Sequence, residues 1–158
     1  MSIFIIAIAY ALGSVPSSCI VGRLAGGLDL LGRPDGDISA SAVYDELGLL
    51  PFLWAASMDF GLAFLAVTLS MLIGESLPIV ILAGCAAVAG HNWSIFTRFK
   101  GGLGATAIGG SLAGLLFWPF LCGLVAARTV FVVTSKSTLS FIVGISVVLV
   151  GFPQRRTA

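Results

Sequence analysis

Long uncharged stretches alternate with short polar segments along this chain of 158 residues. Each stretch approaches or exceeds the ~20 residues with which a helix crosses ~30 Å of hydrocarbon. Backbone groups in lipid must be hydrogen-bonded within the segment, and these stretches are too long for the strands of a barrel. The pattern predicts an all-α, polytopic integral membrane protein, a single domain with about five transmembrane helices at 2–22, 49–73, 76–96, 105–127 and 137–153.

The composition supports this assignment. Hydrophobic residues make up 58% of the chain and charged residues 9%, whereas soluble domains carry about 25% charged residues. The net charge of +1 gives no indication of nucleic-acid binding. The cysteines Cys19, Cys85 and Cys122 all lie in predicted spans, where they suit apolar packing rather than a disulfide or a metal site. The sequence therefore predicts no metal and no cofactor.

The basic residues predict the orientation in the membrane. With five spans, six basic residues fall on one side and two on the other. The positive-inside rule makes the six-charge side cytoplasmic, which places the N-terminus outside and the loops 23–48 and 97–104 inside. The first apolar stretch has neither a basic region before it nor a clear cleavage site after it, so we expect a retained span in the inner membrane.

The first candidate for binding chemistry is the stretch GHNWSIFTRFKGGLG at 90–104. It contains the one histidine of the chain, His91, and a glycine-rich turn before a predicted helix. Such a turn presents backbone N–H groups and the positive end of the helix dipole to an anion, and Arg98 and Lys100 add charge. An equally good interpretation is an interfacial histidine beside ordinary flanking basic residues, with no ligand.

Asp59 stands alone in the second predicted span. A carboxylate at that depth is costly, so it should be protonated or paired. His91 and Arg23 are the candidate partners, and a structural pair is slightly favoured over a catalytic one. The Gly110-x-x-x-Gly114 spacing predicts a close contact between helices.

The loop at 23–48 is acidic. Its Pro34-Asp35-Gly36-Asp37 segment has turn chemistry, and Ser39 or Ser41 can cap a short helix leading into the second span. Asp35 and Asp37 allow a calcium interpretation, but an EF-hand loop needs more acids at set spacing and a terminal glutamate. A solvated acidic loop is the favoured interpretation.

Three motifs carry a family resemblance. They are GSVP at 13–16 with GRL at 22–24, then MDF at 58–60, and finally GHNW with FKGG within 90–102. Together they resemble the PlsY family, bacterial membrane enzymes that move an acyl group from acyl phosphate to glycerol 3-phosphate. The resemblance implies a PlsY-like fold and a C-terminally short member of the family.

The resemblance also implies a site. His91 and Lys100 would be its catalytic residues. The implied substrate-binding positions are Ser14, Arg23, Asp59, Asn92, Gly101, Gly102 and Gly104. The implied ligands are acyl phosphate and glycerol 3-phosphate, with membrane lipids around the protein.

Four positions depart from the family pattern. Asp35 stands at a serine position and Asp45 at an arginine position, while Leu62 and Leu103 stand at lysine positions. Replacing arginine by aspartate turns an attraction of roughly 1–4 kcal/mol near the surface into a comparable repulsion of a phosphate. Each lost charge-assisted contact costs about another 1.5–3 kcal/mol.

These departures favour a non-catalytic membrane protein that packs against other membrane subunits or binds lipid. The alternative is an active, divergent acyltransferase that uses His91 and Lys100 on another acceptor. Asp35 or Asp45 would then recognise a cationic or hydroxyl-rich substrate or act as a base. An ion or proton pathway through Asp59 and His91 is the least favoured hypothesis, because transporters carry more intramembrane charge and internal repeats.

Overall fold

The computed structural model describes residues 1–33 and 36–150 of an all-α protein, as predicted. Its α-helices are α1 (Ser2–Gly13), α2 (Ser17–Gly26), α3 (Ala40–Leu47), α4 (Leu49–Leu72), α5 (Leu77–Asn92), α6 (Ala105–Leu115), α7 (Phe117–Thr134) and α8 (Ser137–Val150), with a short 3-10 helix at Ile95–Thr97. The chain divides into two compact units, Met1–Leu115 and Leu116–Ala158. Each unit is described by itself, and the single domain predicted over 1–158 stays a prediction.

Four helical segments are long and apolar enough to cross a membrane. They are Ser2–Gly26, Leu49–Leu72, Leu77–Thr97 and Phe117–Thr134. The helices α6 and α8 have 11 and 14 residues, so at 1.5 Å per residue they are about 16 and 21 Å long. Both are shorter than the hydrocarbon thickness of ~30 Å. The count of about five spans and the outside N-terminus stay predictions.

Two of the predicted spans are interrupted, each close to a proline. The span at 2–22 consists of α1 and α2, which are separated just before Ser17 by a segment containing Pro16. The span at 105–127 is divided between α6 and α7 at Leu116, three residues before Pro119. Proline has no N–H, and its ring collides with the carbonyl of the residue four positions earlier. Counting charges and apolar residues does not detect this local effect.

Small residues allow the helices of the first unit to approach closely. A Cβ would meet neighbouring atoms at under 3.0 Å at Gly13, Gly90, Gly110 and Gly114. Gly13 lies against the backbone of Ala87 in α5, and Gly110 lies against the backbone of Phe60 in α4. The close contact predicted from the Gly110-x-x-x-Gly114 spacing is confirmed, because helices meet at this distance only where side chains are small.

The short helix α3 is capped as predicted. The Ser39 hydroxyl accepts a hydrogen bond from the Ala42 N–H at 3.3 Å, which satisfies one of the free N–H groups of a helix start. The buried Val43 of α3 joins Leu30 and Ile38 in a small apolar cluster. This cluster anchors the segment 36–39 beside the rest of the first unit. Pro34 and Asp35 lie outside the described residues.

The second unit is a pair of helices in contact through glycines. A Cβ on Gly123 of α7 would lie 2.6 Å from the carbonyl oxygen of Gly144 in α8. Most other side chains of this unit are exposed, including Arg128. The sequence predicted Arg128 just beyond the end of a span at 127, whereas it lies within α7.

Candidate functional site

The end of α5 is tied to the break between α1 and α2. The Ser94 hydroxyl donates a short hydrogen bond to the carbonyl oxygen of Ser14, and the Tyr10 hydroxyl donates one to the carbonyl oxygen of Trp93 at 2.6 Å. In each of these two hydrogen bonds, the donor residue and the acceptor residue are far apart in the sequence. The pair of contacts fixes where the stretch 90–104 leaves α5.

The glycine turn folds back over the end of α5. A Cβ on Gly101 would overlap the carbonyl oxygens of His91 and Asn92, and one on Gly102 would lie 2.6 Å from the His91 Nε2. Gly104 has a φ of 76°, a conformation that glycine adopts without steric cost. The turn therefore needs glycine for close approach, and the structure places it directly beside His91.

Asp59 and His91 are neighbours in the membrane-spanning part of the first unit. The His91 Nδ1 lies 3.4 Å from the Asp59 Oδ1, and the two side chains are 12% and 1% exposed. The predicted pairing of Asp59 with His91 is confirmed. The two groups do not form a hydrogen bond, and neither carboxylate oxygen accepts one from any described residue.

Two polar cavities meet at Gly101 and Gly102, which line both. The first, here called the small cavity, has a volume of about 20 Å³ and is lined in part by Ser17, Asp59, His91, Ser94, Thr97 and Lys100. The second, here called the loop cavity, has a volume of about 250 Å³ and is lined by Asp37, Ser39, Ser41, Gly101, Gly102 and Leu103. The glycine turn is the wall between them.

The described titratable groups that line the two cavities are two carboxyl groups, one ammonium group and one imidazole, that of His91. Among the described lining residues, Lys100 is the one lysine or arginine, whereas Asp37 and Asp59 are both carboxylates. A Cβ placed on Gly36 would lie 3.2 Å from the Lys100 Nζ. The ammonium group therefore lies against the segment 36–39, next to Asp37 in the sequence.

Comparison with known proteins decides the family. The family model described as glycerol-3-phosphate acyltransferase matches residues 3–153 of the chain.

The chain belongs to the glycerol-3-phosphate acyltransferase family.

Among its relatives, glycerol-3-phosphate acyltransferase 2 of Moorella thermoacetica is 37% identical over 78% of the chain and 66% of its own length. The glycerol-3-phosphate acyltransferase of Parasynechococcus marenigrum is 35% identical over 94% and 72%, and that of Bacillus velezensis is 36% identical over 92% and 75%. The chain thus spans about two thirds to three quarters of these relatives.

Solved structures agree on the fold. The chain superposes with a TM-score of 0.76 on the crystal structure of PlsY (YgiH), an integral membrane glycerol 3-phosphate acyltransferase, in its glycerol 3-phosphate form. The alignment covers 97% of this chain and 79% of that one at 23% identity. The PlsY-like fold is therefore confirmed, and the four helical segments long and apolar enough to cross a membrane support a multi-pass membrane protein.

The structure brings together only part of the site that the resemblance implied. His91, Asp59, Lys100 and the glycine turn share the two cavities. Arg23 is exposed on α2 and lines neither cavity. The remaining implied positions lie nearby but outside the cavity linings: Ser14, Asn92 and Gly104.

The positions that depart from the family pattern lie at different depths. Leu103 lines the loop cavity and is 87% exposed. Asp45 is exposed on α3, Leu62 is half-buried in α4, and neither lines a cavity. Asp35 lies outside the described residues. Of these four positions, Leu103 is therefore the one that the described residues place in the lining of the loop cavity.

The sequence interpretation missed several lining residues and an apolar groove. Ser17, Ser94 and Thr97 line the small cavity, and no short motif identifies them. The groove has a volume of about 370 Å³, lies between α4, α5 and α6, and reaches Asn92 at the glycine turn. Periodicity gave no signal for it, because helices in lipid are apolar on all sides.

Proposed function

We propose that this chain is a non-catalytic member of the glycerol-3-phosphate acyltransferase family. It retains the fold and acts in the inner membrane as a lipid-binding scaffold or as a subunit that packs against other membrane proteins. The observation that supports this proposal is the set of ionisable groups around the glycine turn, where Lys100 is the one lysine or arginine among the described lining residues, beside the carboxyl groups of Asp37 and Asp59 and the imidazole of His91. An enzyme acting on two phosphate compounds needs the opposite balance.

Electrostatics gives the expected effect on a phosphate. An ionised carboxylate near the turn repels a unit of phosphate charge by roughly 1–4 kcal/mol near the surface, and Lys100 is the one lysine or arginine among the described lining residues. The acceptor of the family reaction carries its own phosphate group beside that of the acyl donor. Loss of two lysine positions, at Leu62 and Leu103, removes charge-assisted contacts of about 1.5–3 kcal/mol each.

A second candidate function is an active, divergent acyltransferase, which takes acyl phosphate and glycerol 3-phosphate or another acceptor. It is favoured by one specific observation, the contact of Gly102 with the imidazole of His91 beside Lys100. In this alternative the glycine turn holds the donor phosphate. The acceptor would then be less anionic than glycerol 3-phosphate, because of Asp37 in the loop cavity.

Acyl transfer by the purified chain in lipid nanodiscs separates the two functions. The substrates are acyl phosphate and radiolabelled glycerol 3-phosphate, and the Bacillus velezensis relative in the same lipid is the positive control. We expect no product above the protein-free blank, and Lys100→Ala should behave as the unmodified chain does. Product that disappears in Lys100→Ala would contradict the proposal and establish the alternative.

Subunit association is tested on the native membrane rather than on the purified chain. A scaffold or subunit should leave its native membrane in mild detergent as part of a larger complex, whereas a self-sufficient enzyme should migrate as this chain alone. Blue native electrophoresis of an epitope-tagged chain gives the size. A species no larger than the chain with its detergent would refute the subunit form of the proposal and leave lipid binding.

A further inference from the structure

We propose that the segment 93–99, here called the anchor segment, lies at the boundary between the acyl chains and the headgroups of the bilayer and binds anionic phospholipid there. The partner is a lipid surface with a net negative charge. The proposal goes beyond the proposed function, because it holds for a catalytic and for a non-catalytic chain alike.

The anchor segment has its polar side chains inside and its apolar side chains outside. Ser94 and Thr97 are 3% and 2% exposed, and their hydroxyls donate hydrogen bonds to carbonyl oxygens of the chain. Four large apolar side chains are each more than half exposed: Trp93, Ile95, Phe96 and Phe99. A segment that lies in water shows the opposite pattern, so this outer surface requires an apolar environment.

The length of α5 places this surface in lipid. The helix has 16 residues and is about 24 Å long at 1.5 Å per residue, whereas the hydrocarbon is ~30 Å thick. Glu75 and Ser76 precede α5, so the missing length lies at its other end. There the 3-10 helix of three residues, Ile95–Thr97, adds up to about 6 Å at 2.0 Å per residue. The span therefore reaches the hydrocarbon boundary only when the anchor segment is included.

The backbone of the anchor segment suits this environment. Oxygen atoms of Ser94 and Thr97 accept hydrogen bonds from four backbone N–H groups, those of Phe96, Thr97, Phe99 and Lys100. Irregular backbone next to hydrocarbon must satisfy its polar groups within the protein. This pairing lets the segment lie against acyl chains without exposing these four donors.

Two contacts with the first helix fix the orientation of the segment. The Tyr10 hydroxyl donates a hydrogen bond to the carbonyl oxygen of Trp93 at 2.6 Å, and the Ser94 hydroxyl donates one to the carbonyl oxygen of Ser14. The segment is therefore held by its backbone and by Ser94. Its large apolar side chains remain directed outwards, where they can contact lipid.

Arg98 gives this surface a preference for negative charge. It is exposed between Phe96 and Phe99, and it lines neither polar cavity. An arginine at the hydrocarbon boundary keeps its aliphatic stem in the apolar region and places its guanidinium group among the phosphates. The surface potential of an anionic leaflet attracts such a cation. Lipids with a net negative charge should therefore be enriched beside Arg98 over zwitterionic lipids.

A protein subunit could cover the same surface, because aromatic residues and arginine are also common at protein interfaces. The length of α5 favours lipid, since the bilayer reaches this level whether or not a partner is bound. The test therefore uses the purified full chain in vesicles of defined lipid, in which no other protein is present.

The test places one tryptophan in the anchor segment. Phe99→Trp supplies the probe in a chain with Trp54→Phe, Trp93→Phe and Trp118→Phe. The matched control has the same three replacements and Asp45→Trp, at an exposed position of α3. Vesicles of phosphatidylcholine and phosphatidylglycerol carry lipid brominated on the upper acyl carbons, and acrylamide is the quencher in water. We expect bromine to quench the Phe99→Trp probe strongly and acrylamide weakly, and the reverse for the control.

Two results would overturn the proposal. Quenching of Phe99→Trp by acrylamide at the level of the control would show that the surface lies in water. Protection from both quenchers would show that protein covers it, which in this preparation means a second copy of the chain. Phe96→Trp repeats the measurement at a second outward position, so the result does not depend on the folding of one variant.

The preference for anionic lipid is measured with the same probe. Bromine is carried either by the phosphatidylglycerol or by the phosphatidylcholine of otherwise identical vesicles. We expect phosphatidylglycerol to be enriched about fivefold at the Phe99→Trp probe, the factor for one basic residue near an anionic surface. Arg98→Gln should abolish the enrichment and Arg98→Lys should keep it. Equal quenching by the two lipids in the chain that retains Arg98 would overturn the anionic preference.

Discussion

Two neighbouring glycines of α6 give a matched test of the packing that positions the glycine turn. A Cβ on Gly110 would overlap the carbonyl oxygen of Phe60 and lie 2.9 Å from its carbonyl carbon. A Cβ on Gly109 would lie 3.6 Å from the ring of Phe60, an ordinary van der Waals contact. Gly110→Ala therefore forces α6 away from α4, whereas Gly109→Ala does not.

The magnitude follows from the difference between the two variants. Both replace a helical glycine by alanine, which favours the helix by about 1 kcal/mol in each case, so this gain cancels. What remains is the overpacking at Gly110, about 1–3 kcal/mol for an inserted methyl group in a close-packed site. For a chain of this size, that corresponds to a difference of about 2–12 °C in the unfolding midpoint.

The assay is thermal unfolding in one detergent, followed by the fluorescence of the three tryptophans. Gly109→Ala should unfold at or above the midpoint of the unmodified chain, and Gly110→Ala clearly below it. Equal midpoints for the two variants would refute the α4–α6 contact as described. A lower midpoint for Gly109→Ala would show that α6 presents a different face.

Three further predictions concern the site. Ser94→Ala leaves the buried carbonyl oxygen of Ser14 without its donor and should cost about 1–3 kcal/mol, whereas Ser57→Ala, which removes an exposed bond, should be near neutral in the same unfolding assay. His91→Leu leaves the buried Asp59 carboxyl group without its neighbour at 3.4 Å and should cost about 1–3 kcal/mol; the cost should fall in an Asp59→Asn background, and a strictly additive double variant would contradict the pairing. Gly102→Ala should displace the imidazole of the one histidine, so its side-chain ¹⁵N resonances should move, and an unchanged spectrum would argue against the contact at Nε2.

Much of the fold followed from the chain because lipid imposes a strong constraint. Uncharged stretches long enough to span a bilayer must be helical, and the start of α3 at Ser39 followed from capping chemistry. The breaks near Pro16 and at Leu116 did not follow from apolar content. They depend on one missing N–H and one ring at a particular position, which an average over twenty residues conceals.

The site was predictable only where a single residue was conspicuous. Asp59 lies in an apolar span, where a carboxylate needs a partner. His91 was the candidate partner in a neighbouring predicted span. The two cavities depend instead on the approach of the segment 36–39 to the glycine turn, which brings Asp37 and Lys100 to one place from distant parts of the chain. That approach is set by the apolar cluster around Val43, and no local sequence pattern reports it.

The most direct test of the proposed loss of phosphate binding measures how tightly the chain binds radiolabelled glycerol 3-phosphate. The unmodified chain is compared with a variant that has basic residues at three positions where the family pattern has them, Asp45→Arg with Leu62→Lys and Leu103→Lys. The neutral control carries Asp45→Asn, Leu62→Met and Leu103→Met at the same positions. If missing positive charge is what prevents phosphate binding, the basic variant should bind at least about 100-fold more tightly than the neutral control, since each charge-assisted contact is worth about 1.5–3 kcal/mol. Tight binding by the unmodified chain, or no difference between the two variants, would contradict the account.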